Sequence, residues 1–408
     1  MGRNRNLIVG IAVLVLAASI ISFAAGFIFA GNSYINSQDG IIYFDPKVVG
    51  PENIRKFNQV KEILKRNYYQ DVNESTMLEG AIAGMARSLG DPYTVYFTKE
   101  EMKAFNEKSE GSYVGIGVSI VVDSTGLLTV VEPFEGSPAK EAGILQGDKI
   151  IKVDDKDVTA IRDENMVIAM IKGEENTKVK ITVFRPSEGR AIDFDIIRKR
   201  IKTVNIKSEV LPGDIGYIKI IMFDNDIASY FEEHLNNLLN QGIKGLIIDL
   251  RDNLGGSYSQ VVKIADRLLP EGLIVYTEDK NKRRFEEKSD ARELDLPLAI
   301  LINENSASAS EILAGAVKDH HKGSLVGKRT FGKGLVQAVV PLSDGSGLKV
   351  TISKYFTPSG LCIQDIGIEP DVEVDAPEAY KNRPVSEIPR GDDVQLQTAV
   401  QMLRAKTQ

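Results

Sequence analysis

From residue 204 onward, short apolar runs alternate with amphipathic stretches, and this alternation is the strongest constraint on the fold. Gly216–Ile220, Leu246–Leu250, Leu298–Asn303 and Ser324–Val326 read as strands. Asp226–Gln241, Gln260–Leu269 and Ala309–Asp319 read as helices between them, the first closed by Gly242. Such an order predicts a largely parallel sheet with helical crossovers. Ligands of a parallel sheet sit beyond the carboxyl ends of its strands. Three loops leave such ends: Arg251–Gly256, Glu304–Ser308 and Gly327–Lys333. The unit spanning 298–326 is one crossover, so its two flanking loops open on the same edge, bringing Ser308 and Lys333 together.

The rest of the chain divides by composition into an α+β and α/β multidomain protein. Positions 7–30 carry no charge and follow Arg3 and Arg5. That length spans a bilayer, and Ile28-Phe29-Ala30 is a poor cleavage site. The expectation is an uncleaved anchor over 1–31, with everything after it outside the cytoplasm. A cleaved signal would give the same compartment without the anchor. Residues 32–50 form a polar linker, and 51–111 an N-terminal helical segment in which Ile54, Phe57, Val60, Ile63 and Leu64 recur at helical spacing. Residues 112–203 hold short strands (Val118–Val122, Leu127–Val131, Lys149–Val153, Val179–Arg185). They also hold two short helices, one within Glu135–Asp148 and one at Met166–Lys172. The core covers 204–375. A tail over 376–408 includes an amphipathic helix at Val394–Leu403.

Composition removes several function classes. A net charge of −7 argues against nucleic-acid binding. The single cysteine, Cys362, lies in an apolar stretch and reads as a packed hydrophobe. Three histidines, His234, His320 and His321, leave few places for a metal site or a histidine triad. No cofactor is expected. Gly327-Lys328 is not a phosphate loop, because the spacing from Gly323 is one residue short and Arg329 replaces the Ser or Thr.

On pattern alone Ser308 is a helix cap: Ser308-Ala-Ser-Glu311 is a capping box ahead of an apolar face at Ala309, Ile312, Leu313, Ala316 and Val317. The same geometry suits a nucleophile, since backbone N–H groups opening a helix can receive an oxyanion. Gly255 and Gly256 read either as a second donor or as a plain turn. Lys333, between Gly332 and Gly334, would by itself be a surface charge.

The segments Ser88–Thr98, Gly136–Asp148, Asn305–Glu311 and Thr330–Gln337 together resemble the C-terminal processing (tail-specific) peptidases. Tyr355–Gly360 and Gly367–Asp371 extend the resemblance over roughly 52–375, with the motifs in family order. It implies that 112–203 is a PDZ domain, β-rich with two helices, and that 204–375 is a serine protease core. Of the three serines in 306–310, the family position is Ser308, the nucleophile. Lys333 would be the general base and Gln337 the residue that orients it. The Ala309 N–H and the N–H of Gly255 or Gly256 would form the oxyanion hole. In the PDZ domain, Tyr113–Val118 looks like the carboxylate-binding loop, with Gly115, Ile116, Gly117 and Val118 receiving the peptide and Met166, Ala169 and Met170 lining its pocket. Lys172 stands where relatives usually carry arginine, which puts any role carried over for that arginine in doubt.

The implied function is a serine endopeptidase working through an acyl-enzyme on proteins with free, apolar C-termini. Lys333 must then be neutral, and burial against Phe331, Leu335 and Val336 would favour that. A homodimer is compatible with the terminal helices. A membrane-tethered PDZ scaffold with an inhibited core, or a hydrolase of esters or cell-wall peptides, would use the same motifs.

Overall fold

The computed structural model describes residues 50–407, apart from 124 and 382. The anchor expected over 7–30 lies outside the described residues. Among them, no helix is long and apolar enough to cross a membrane. The chain divides into two compact units, 1–78 and 79–408.

Helix α1 (Pro51–Asn67) opens on proline and ends on a basic turn, as the helix dipole favours. Ile54, Phe57, Val60, Ile63 and Leu64 do fall on one helical stripe, and all are exposed. Lys65 pairs with Glu74 at 2.5 Å. Helix α2 (Glu74–Arg87) follows.

In the second unit, strand β1 (Val95–Phe97) precedes helix α3 (Lys99–Ser109), whose capping box uses Thr98 and Glu101. Next come β2 (Ser112–Gly115), β3 (Val118–Val122), β4 (Leu128–Pro133), α4 (Pro138–Ala142), β5 (Lys149–Val153) and β6 (Lys156–Asp157). They are followed by α5 (Glu164–Ile171), β7 (Lys178–Arg185), β8 (Arg190–Ile197) and β9 (Lys199–Lys202). Strands β3-β4-β5-β7-β8 form an antiparallel sheet around a core of Ile116, Ile144, Ile150, Val179, Ile181 and Val183. A buried Arg185–Asp148 pair at 2.8 Å pins the end of β7 to the turn before β5. Strand β3 is an edge, with β4 as its one neighbour.

The remaining elements are β10 (Ile206–Leu211), β11 (Ile215–Ile220), α6 (Ile227–Asn240), β12 (Gly245–Asp249) and α7 (Tyr258–Leu268). Then come β13 (Gly272–Asp279), β14 (Arg284–Ser289), β15 (Leu298–Ile302), α8 (Ala309–Asp319) and β16 (Gly323–Gly327). The chain closes with β17 (Leu335–Pro341), β18 (Gly347–Phe356), β19 (Val372–Glu373) and α9 (Val394–Thr407). One sheet runs β10-β11-β12-β15-β16-β19, parallel from β11 onward. Strands β12 and β15 are buried at every position, because helices cover both faces. Helices α6, α7 and α8 form a core with one face, and α9 packs Leu396, Ala399 and Leu403 on the other.

A second, antiparallel sheet, β1-β18-β13-β14 with β17 on β18, was not anticipated from sequence. Its strands show little apolar contrast: β17 is half-buried along most of its length and β14 is mostly exposed. Strand β1 joins this sheet, Val95 opposite Lys349, so the Ser88–Thr98 motif sits against the core.

The tail is held by charge as well as by packing. Arg251, fully buried, forms double hydrogen bonds to Asp249 and to Asp393 at 2.6–3.0 Å and one to Gln395. Removing one partner strands a buried guanidinium charge. Asp393→Ala is therefore expected to destabilise the protein by about 3 kcal/mol, measured by urea unfolding against wild type.

Candidate active site

Strands β12, β15 and β16 are neighbours, and the loops leaving their carboxyl ends converge as the crossover argument requires. They open on a cleft of about 990 Å³. Ser308, Ala309, Lys333, Gln337, Gly255 and Gly256 all line it.

The three serines of 306–310 differ in what holds them. Ser306 is buried and donates to the Leu250 carbonyl at 2.9 Å, and Ser310 is buried and donates to the Asn253 carbonyl at 2.8 Å. Both lace the loop that carries Ser308 to the loop after β12. Ser308 faces the cleft with φ 54° and ψ −112°. Such a conformation costs a β-carbon-bearing residue about 1–3 kcal/mol and persists only where its surroundings impose it.

Those surroundings are Glu311, Tyr355 and Asn253. The Glu311 carboxylate accepts four hydrogen bonds: Ser308 N–H (2.8 Å) and Lys333 N–H (2.8 Å) on one oxygen, Thr330 Oγ1 (2.6 Å) and Gly332 N–H (2.7 Å) on the other. Burial pushes its carboxyl above the usual range, while these donors favour the ionised form. Sequence showed Glu311 only as half of a capping box. That half exists, and the same carboxylate reaches across to the lysine loop. Tyr355, buried, places its hydroxyl 3.0 Å from the Ser308 carbonyl and 2.5 Å from the Lys333 carbonyl. Asn253 accepts Gly255 N–H at 2.9 Å, donates to the Ile220 carbonyl, and offers its own carbonyl to Ala307 N–H.

These bonds separate the two glycines. The Gly255 N–H is engaged by Asn253. Gly256 bridges to Phe223, but the two bonds of that bridge use Phe223 N–H to the Gly255 carbonyl and Ser257 N–H to the Phe223 carbonyl, leaving the Gly256 N–H outside it. Gly255 has φ +102°, and a β-carbon there would lie 2.8 Å from the Ala307 carbonyl oxygen and 3.0 Å from the Ala309 nitrogen. Both glycines are thus required by backbone that approaches closely.

Lys333 is half-buried, and its ammonium lies 4.9 Å from the centre of the Tyr93 ring. Desolvation lowers its pKa, helped by the nearby charge of Lys349 and opposed by Glu311 and Asp91. Of the neighbours expected to bury it, Leu335 and Val336 are half-buried and line the same cleft, whereas Phe331 is 56% exposed; Tyr93 is the ring against the amine. Tyr93 belongs to the Asp91-Pro-Tyr93 run, which sequence marked as a motif without giving it a role. The Gln337 amide donates to Thr351 Oγ1 at 3.4 Å rather than contacting Lys333.

Of the carboxylate-loop residues, Tyr113 lines this cleft and Gly115 to Val118 do not. Gly115 ends β2, opposite Lys199, and Gly117 has φ +78°. The carbonyls of Ile116 and Gly117 accept Ala139 and Phe134 N–H groups at 2.9 and 3.0 Å. Ile116 is buried, and Val118 opens the edge strand β3. On α5, Met166 and Ala169 are exposed and Met170 packs partly on the domain core. Lys172, beside them, lines the cleft, contacts Glu107 at 3.3 Å and lies over the Tyr113 ring.

Glutamine cannot replace Glu311, because its NH2 group would face two donors. Glu311→Gln is expected to cost about 3 kcal/mol of stability and to lower kcat more than tenfold. Thermal unfolding and peptide turnover, read on one preparation, check both.

Comparison with known proteins places this geometry in context. Residues 214–374 match the model of peptidase family S41, 114–197 match a PDZ domain, and 22–101 match the activating protease CtpB N-terminal domain. The chain is 35% identical to carboxy-terminal processing protease CtpA of Bacillus subtilis, over 90% of this chain and 78% of that one. It is 36% identical to a probable CtpA-like serine protease of Staphylococcus aureus, over 83% and 69%. Among solved structures, the photosystem II D1 C-terminal processing protease is 31% identical over 80% of this chain and 89% of that chain, with a TM-score of 0.47.

Proposed function

The chain belongs to peptidase family S41 and is a C-terminal processing serine protease with a PDZ domain; from this premise we propose that Ser308 is its nucleophile and Lys333 its general base. The observation that carries the reading is a half-buried lysine, without a carboxylate partner among the described residues, opening on the same cleft as a strained serine at a helix N-terminus.

Neutral Lys333 Nζ takes the Ser308 Oγ proton as Oγ attacks the scissile carbonyl. The developing oxyanion is received by the N–H groups of Ala309 and Gly256, and Gly255 shapes the turn that presents them. The lysine ammonium returns its proton to the leaving amine, giving an acyl-enzyme. Water, deprotonated by Lys333, then releases the product. Gln337 acts on the lysine only after a side-chain rearrangement in the substrate complex, since its amide rests on Thr351.

Substrate selection is assigned to the carboxylate loop. The N–H groups of Gly115 to Val118 receive a free C-terminal carboxylate, an extended peptide adds to the open edge of β3, and Met166 and Met170 contact its apolar side chains. Residues 7–30 anchor the enzyme with its catalytic part outside the cytoplasm. The exposed stripe of α1 is assigned to pairing with a second copy, which sedimentation of fragments with and without residues 50–72 tests.

The base must be unprotonated, so activity should rise with pH through the Lys333 pKa. Because that pKa is lowered, the limb lies below the ~10.4 of a free lysine. Ser308→Ala and Lys333→Ala should each abolish cleavage of an unstructured protein. Full activity in the lysine variant would remove the dyad. Amidating the substrate's C-terminus should slow cleavage at least tenfold, whereas equal rates for both peptides would dissociate the PDZ loop from selection.

A further inference from the structure

The cleft holds a second lysine that the dyad does not use. Lys349, on β18, is half-buried, pairs with Val339 and Val95 across its strand neighbours, and lines the same cleft as Lys333. Its ammonium lies 5.4 Å from the Phe97 ring centre and 5.9 Å from that of Phe105. Among the described residues no carboxylate forms an ion pair with it, so its contacts are aromatic faces and cleft.

Two unpaired ammonium groups bordering one half-enclosed space repel each other, and the one that can lose its proton does so more readily. Burial lowers the pKa of Lys349, and the rings of Phe97 and Phe105, stacked 5.2 Å apart, act the other way by favouring its charged form. Lys333 has Tyr93 against it, and its backbone is fixed by Glu311 and Tyr355. We propose, building on the dyad reading above, that Lys349 is a positioning residue whose ammonium, bordering the same cleft, helps to keep the Lys333 amine in its proton-accepting form.

The other charges around the pair come from three elements. Asp91, ahead of β1, attracts both lysines, but its oxygens are occupied by Tyr93 N–H and Thr94 Oγ1. Glu311 on α8 attracts Lys333, and four donors hold it. Lys108 on α3 disfavours the charged form of Lys349. Removing Lys349 leaves Lys333 facing Asp91, Glu311 and the Tyr93 ring, all of which favour its protonated form.

The test uses the full-length protein in detergent, whose rate on an apolar-ended peptide is followed from pH 5 to 10, with thermal unfolding as the check on folding. Lys349→Met should move the limb of kcat/KM up by roughly 0.5–1 pH unit, with the high-pH plateau retained. Lys349→Arg should keep the wild-type profile. In a Ser308→Ala background with 13C-labelled lysine, the Lys333 resonance should titrate at correspondingly higher pH in the methionine variant. An unchanged Lys333 titration overturns the proposal and leaves the dyad standing. A loss equal at every pH and confined to peptides with an acidic residue also overturns it, because Lys349 would then be a substrate contact. Retained turnover in Lys333→Ala defeats the dyad itself, a result separate from either. If the methionine variant does not fold, Lys349→Gln carries the same comparison.

Discussion

A single buried carboxylate ties the catalytic cleft together. Glu311 binds the backbone of Ser308 on its own helix and that of Gly332 and Lys333 on the loop beyond the next strand. A parallel sheet delivers both loops to one edge, but a sheet edge alone leaves them free to shift by several ångströms. Four hydrogen bonds to one anion remove that freedom. They also explain why a glutamate is tolerated at near-zero exposure beside the lysine proposed as base. Its charge is taken up by N–H and O–H donors, so its attraction for the lysine proton is offset by desolvation and by the Lys349 charge.

Much of this was legible in the sequence, and for identifiable reasons. The strands Leu246–Leu250 and Leu298–Asn303 are mostly apolar runs, broken by Asp249 and closed by Asn303, and the helix after Ser308 has a clear apolar face, so the crossover unit could be placed. The convergence of Ser308 and Lys333 followed from it. The antiparallel sheet was not legible, because β14 and β17 mix polar and apolar residues without periodic contrast and derive their pairing from β13 and β18. The roles of Glu311 and Tyr355 were hidden for a different reason. Each reaches a partner 22 positions away in sequence, and only a folded backbone defines that contact. The choice between Gly255 and Gly256 rested on one Asn253 hydrogen bond that spacing does not report.

Desolvation acts on two scales here. Around Lys333 it is partial and lowers the pKa of the amine, which still opens on the cleft. Around Arg251 it is complete, and the charge survives because two carboxylates and an amide surround it. The first arrangement suits a group that must exchange protons during turnover. The second suits one that must never do so.

The Arg251–Asp393 pair also sets an order of events during biosynthesis. The arginine opens the loop that carries Gly255 and Gly256, and its carboxylate partner lies 142 residues later in the chain. A polypeptide emerging from the ribosome or a translocation channel exposes Ser308 and Lys333 well before Asp393. Until α9 arrives, the far face of the sheet is bare and the guanidinium has only Asp249. Ser308 and Lys333 are thus made before the residue that completes the support of the loop beside them.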